Sequence, residues 1–76
     1  MACGPRADVL AQLADKAQSR RAIGLAGRAV MELFAAPDSA EWTLTLTLPD
    51  GRMCVLVLGT AFDAPNDLFP ARGVPL

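Results

Sequence analysis

Two cysteines, Cys3 and Cys54, have the widest chemical scope in this chain. They are too far apart for a CxxC redox pair and too few for a structural zinc site. A free Cys3 just ahead of a helix N-terminus would be an activated thiolate, but it has no resolving neighbour. The chain has no His, which removes Ser-His-Asp and Cys-His catalysis and the commonest metal ligand. Two readings of the cysteines stay open. They form a disulfide, which places the protein in an oxidising compartment, or they are unrelated buried thiols, since free Cys is among the most buried residue types.

Other candidate chemistry is weaker. Gly24-Leu25-Ala26-Gly27 lacks the spacing and the Lys of a phosphate-binding loop. Asp63, Asn66 and Asp67 are too few acids for a calcium loop and read as turn polarity. Arg20-Arg21 reads as a solvated helix end. With seven basic and eight acidic residues the net charge is −1, which gives no electrostatic case for nucleic acid. No apolar run approaches the ~20 residues of a membrane-spanning helix. The expectation is a non-enzymatic protein with no cofactor and no metal.

The elements that must position the cysteines follow from periodicity. Val9, Leu13 and Ala17 recur at four-residue spacing, with Leu10 and Ala14 beside them, and predict a helix from about residue 5 to about residue 20, led in by Gly4-Pro5. Residues 22–26 and 29–35 could be two short strands turning at Gly27-Arg28 or a continued helix; Gly24 and Gly27 favour the strands. Glu41–Leu48 alternates Trp42, Leu44, Leu46 and Leu48 with Thr43, Thr45 and Thr47, as a strand does. Pro49-Asp50-Gly51 marks a turn into a returning strand from Met53. The fold class predicted is α+β, one N-terminal helix on an antiparallel meander of three to four strands. Residues 1–62 form the single domain, and 63–76 a Pro-rich arm carrying Leu68 and Phe69. At 76 residues and 53% hydrophobic content, the chain is not disordered but is near the lower size limit for an unaided core.

The hairpin register decides where Cys54 points. A type I turn over Pro49-Asp50 with Gly51 in the left-handed bulge position sets Leu46 opposite Cys54, Leu44 opposite Leu56 and Trp42 opposite Leu58. That gathers the leucines on one face, predicted to lie under the helix, with Cys54 aimed at Cys3 across the core. The other face, Thr43, Thr45, Thr47, Met53, Val55 and Val57, is then uncovered. It reads either as β-branched residues fitting strands or as a partner or homodimer surface.

Cys3-Gly4-Pro5-Arg6, the amphipathic helix, Ala22–Ala26, Met31–Phe34, Trp42-Thr43-Leu44 and Leu48-Pro49-Asp50-Gly51-Arg52-Met53-Cys54 together resemble short secreted proteins of alphaproteobacteria. Such proteins carry a signal peptide ending just before the first Cys and have no assigned activity. The resemblance covers about residues 3–60 and departs at Gly59–Phe62, where it would place a Gly and a Trp. It implies periplasmic export of a mature form and a Cys3–Cys54 bridge, and it supplies no catalytic residue.

The opening Met1-Ala2-Cys3-Gly4-Pro5 has neither a charged start nor an apolar stretch. A cytosolic protein could begin this way, as could an exported one without its leader. The main expectation is a small periplasmic binding or accessory module whose partner is an unknown protein or a second copy. Its rivals are a thiol-dependent activity at Cys3 and a lipid-anchored envelope protein acylated there.

Overall fold

The computed structural model describes residues 2–38 and 41–61. The chain runs β1 (Ala2–Pro5), α1 (Arg6–Asp15), β2 (Ser19–Ala26), β3 (Ala29–Ala35), β4 (Glu41–Thr47) and β5 (Arg52–Thr60). The five strands form one antiparallel sheet in the order β1-β5-β4-β3-β2. The helix lies on one face of it. The α+β class and the antiparallel meander hold, with residues 22–26 and 29–35 in strands, but the described residues form five strands rather than three or four. The added one is β1: Cys3 belongs to a strand, not to the approach to a helix. The predicted arm at 63–76 lies outside the described residues.

The helix also ends earlier than its apolar spacing suggests, at Asp15. Gln18 N–H donates to Leu13 O (3.0 Å) and Ala17 N–H to Ala14 O (2.9 Å), while Ala17 takes φ 57°. This is a Schellman closure with Ala in the left-handed position usually held by Gly. It releases Ser19-Arg20-Arg21 into β2, so the Arg pair starts a strand instead of finishing a helix. Gln18 is buried, and its Oε1 accepts the Thr43 hydroxyl at 2.8 Å.

The β4–β5 hairpin turns as its residues dictate. Gly51 N–H donates to Leu48 O (2.9 Å), Leu48 N–H to Arg52 O (2.8 Å), and Gly51 has φ +93°. Asp50 accepts from the Arg52 backbone N–H (3.0 Å) and from its Nε (2.9 Å), which holds the Asp50 carboxyl below its ordinary pKa. Leu46 therefore pairs with Cys54, as the type I turn requires. Further along, a bulge at Leu56 resets the register, so that Leu44 pairs with Val57 and Trp42 with Gly59.

The direction of the sheet is the main correction. The core under α1 is built from Val9, Leu13, Phe34 and Met53, with Leu10 and Val55 against it. Phe34 pairs with Thr43 and Met53 with Thr47, so the threonine face is the covered one. Thr43, Thr45 and Met53 are fully buried, Thr47 and Val55 half-buried. They cannot form the open interaction face expected of them. Val57, placed by the bulge on the opposite face, is 43% exposed. Among the described residues, no element covers the leucine face.

On that uncovered face the indole of Trp42 lies over Gly59, and its Nε1–H donates to Thr60 O at 3.2 Å. A Cβ on residue 59 would overlap the ring. Gly59→Ala is expected to displace the indole and cost about 1–3 kcal/mol, as overpacking does. Trp42 is the single tryptophan, so a red-shifted emission together with a lower denaturation midpoint checks this directly. An unchanged spectrum and midpoint would contradict the packing.

Candidate functional site

Two features stand out once the elements are in place: a charged cluster beneath the helix and, on the other side, an apolar face that no element among the described residues covers.

The cluster centres on Glu32, whose side chain is 1% exposed. β3 alternates Val30, Glu32 and Phe34 toward the helix, so a carboxylate is carried into the covered layer. Arg6, at the first turn of α1, meets it with two bonds, Nη1 to Oε1 at 2.6 Å and the second nitrogen to Oε2 at 3.1 Å. Arg6 Nη1 also donates to Thr47 Oγ1 at 2.8 Å, and Arg20 on β2 reaches Oε2 at 3.3 Å. Thr45 Oγ1 donates to the Glu32 backbone carbonyl at 3.2 Å. The Arg6 hydrogen bonds hold the Glu32 carboxyl below its ordinary pKa against the opposing effect of burial, with Arg20 adding to the lowering. Arg6 is raised by the same contact. A carboxylate buried under three guanidinium hydrogen bonds has no proton to give near neutral pH. Its chemistry is structural. The sequence reading passed over it, although one acid inside an apolar strand was a usable signal.

Cys3 and Cys54 are brought together, directly opposed on β1 and β5 and bonded (S–S 2.08 Å). Cys54 shares the Leu46 side of the sheet, so the bond lies on the face away from the helix. The disulfide ties strand to neighbouring strand rather than helix to sheet. Among the described residues, no group of three His, Cys, Asp or Glu side chains is placed to hold a metal ion.

A groove of about 190 Å3 opens between the helix and the far half of β5, lined by Val9, Gln12, Leu13, Thr43, Val55 and Leu58. It is smaller than the roughly 300 Å3 at which small-molecule sites begin.

The uncovered face is larger. Met31, Leu33, Trp42, Leu44, Leu46 and Val57 form its centre, and no charged side chain interrupts them. Met31 is 38% exposed, and the leucines and Trp42 are half-buried. Beside Leu33 and Leu44, the small residues Ala22 and Gly24 leave a shallow hollow of about 120 Å3. Charge appears at the rim, as Arg52 paired to Asp50 at 2.9 Å. Antiparallel sheets that leave one face wet usually make it polar. Here, along β3 and β4, Glu32 and the threonines lie toward the helix while Leu33, Leu44 and Leu46 lie half-buried on the other face.

No protein-family model matches the chain, and comparison with curated protein sequences and with solved structures gives no significant match. No helix among the described residues is long and apolar enough to cross a membrane.

Proposed function

We propose that this protein is a small, disulfide-stapled interaction module of the bacterial periplasm, acting by binding rather than by catalysis. The observation that carries the reading is the uncharged Leu33/Leu44/Leu46 face, which no element among the described residues covers. The Cys3–Cys54 bond fits an oxidising compartment, in keeping with the resemblance to secreted alphaproteobacterial chains. It also speaks against the two rival readings. A Cys3 sulfur bonded to Cys54 can neither attack a substrate nor carry a thioether-linked lipid.

The test places a photo-cross-linking amino acid at position 44, on the leucine face, or at position 11, on the exposed side of α1. Both variants are expressed in the native host and irradiated in intact cells. Adducts from position 44 should exceed those from position 11 severalfold. Equal yields at the two positions, or none from position 44, would remove the interaction reading.

A further inference from the structure

Building on that reading, we propose that the occupant of the leucine face is the same face of a second copy. The two sheets would pack about a two-fold axis running along β4, giving an isologous dimer. Neither partner strand order nor face chemistry need then be invented: both are fixed by the residues already described.

The argument rests on how bulk is distributed across the sheet. Side chains on this face stand in level rows, one residue per strand. In one row the Cys3–Cys54 bond lies at the β1/β5 side, Leu46 in the middle, then Met31, and Gly24 on β2. In the next row Val57 lies on β5, then Leu44, Leu33 and Ala22. Each row is therefore bulky at one end and small at the other. Rotation by half a turn about an axis along the central strand keeps the rows level and reverses their order. The disulfide then comes over Gly24 and Val57 over Leu33 beside the Ala22 hollow, while Leu44 and Leu46 meet their own counterparts. Cys3 falls on the small Gly24, Cys54 on Met31 and Val57 on Leu33, and each contact recurs in the other copy, which is what an isologous contact demands.

Charge and area agree. A face without charge has little electrostatic means of selecting a foreign partner, whereas it suits an identical face. Five strands about 4.8 Å apart and some seven residues long at about 3.3 Å each project about 550 Å2 per copy. Two copies thus bury about 1,100 Å2 in total, below the standard size but above the roughly 1,000 Å2 a specific interface should clear. Pairing through the sheet edges fits less well. β2, the long edge, carries Arg20 and Arg21 just after its first residue, Ser19, with a bulge between Arg20 and Ala22, and β1 ends in Pro5. Charges, bulges and proline are devices that blunt strand addition.

Sedimentation velocity on the oxidised full chain, from roughly 10 to 500 µM, tests the proposal at the concentrations such an interface requires. The unmodified protein should shift from monomer to dimer across that range. Leu44→Lys and Leu44→Glu each set like charges across the axis and should raise the dissociation constant at least about tenfold. An equimolar mixture of the two should dimerise again, because opposite charges then meet. Gly24→Val suits the fold: among the described residues a Cβ there meets no atom within 4 Å, and valine favours a strand. It should still weaken the dimer, by colliding with the partner's disulfide. A monomer throughout for the unmodified protein overturns the proposal, as does a dimer indifferent to both Leu44→Lys and Gly24→Val. A mixture that stays monomeric overturns the position of the axis. The cross-linking described above separates the two levels. Adducts from position 44 at twice the chain mass support both readings. Adducts of other masses alone reject the second copy and leave the interaction module standing.

Discussion

Replacing Cys3 and Cys54 together with Ala is expected to destabilise the domain by about 4 kcal/mol. The bond joins residues 51 positions apart, and closing a loop of that length in the unfolded chain removes about that much in the chain-entropy treatment. The structure adds a reason for the loss to be felt. β1 is four residues long and sits at the sheet edge, held by β5 on one side only. α1 follows it at once, so loosening β1 loosens the cover over Phe34 and Met53. For a domain of this size each kcal/mol moves the melting temperature by about 4–8 °C, so the variant should melt roughly 15–30 °C lower. Thermal unfolding of the oxidised protein, the dithiothreitol-treated protein and the double variant would measure this. Melting temperatures within a few degrees of one another would show that the bond is incidental. Thiol titration of the denatured protein, purified from an oxidising compartment without reductant, should find no free thiol; two would return Cys3 to the list of possible nucleophiles.

The second large effect is expected at Arg6. Arg6→Ala leaves Glu32 in the covered layer with Arg20, at 3.3 Å, still in reach. Removing one partner of a buried pair costs about 3–5 kcal/mol, and the remaining arginine and the partial exposure of Arg6 place this case near about 3 kcal/mol. The companion variant Arg6→Met/Glu32→Leu removes the charges together and should lie much closer to the unmodified protein. The pH dependence has a definite sign. Because the Glu32 pKa is lowered in the folded state, its contribution is fully present above the ordinary carboxylate range. It is lost as pH falls through the lowered folded value. In Arg6→Ala the main cause of the lowering is gone, so the acid loss should begin at higher pH. Urea unfolding between about pH 2 and pH 7 reads both effects. A variant as stable as the parent at neutral pH, with the same acid limb, would show that the cluster contributes nothing.

Several parts of the molecule were legible from local chemistry. Pro49-Asp50-Gly51 specifies a type I turn with a left-handed glycine, and that alone sets Leu46 opposite Cys54. Gly24 and Gly27 broke the helical reading of residues 22–36, and Gly27 does turn the chain, at φ 63°. The alternation of threonine and leucine along β4 declared two unlike faces. Other parts were hidden. The bulge at Leu56 leaves no mark in a run of Val and Leu, and it moved Val57 across the sheet. The early end of α1 depends on Ala17 accepting a left-handed conformation that alanine disfavours, a choice made worthwhile by the Gln18–Thr43 contact 25 residues away. β1 has no pattern of its own. It is a strand because β5 is beside it and the disulfide holds it there.

The candidate site divides in the same way. From the residues alone came the secondary structure class, the Leu46–Cys54 pairing next to the turn and the separation of leucine and threonine onto opposite faces of β4. Which of the two turns inward was decided by the tertiary structure. Period-two alternation separates faces but does not rank them, and hydrophobicity ranks them only if the polar face has no partners inside. Here it has them: Gln18 for Thr43, the Glu32 carbonyl for Thr45 and Arg6 for Thr47. Glu32 is on the threonine side of β3, and its need for Arg6 brings α1 to that side. With the hydroxyls satisfied and the carboxylate paired, burying threonine carries little penalty, and the leucines are left on the opposite face.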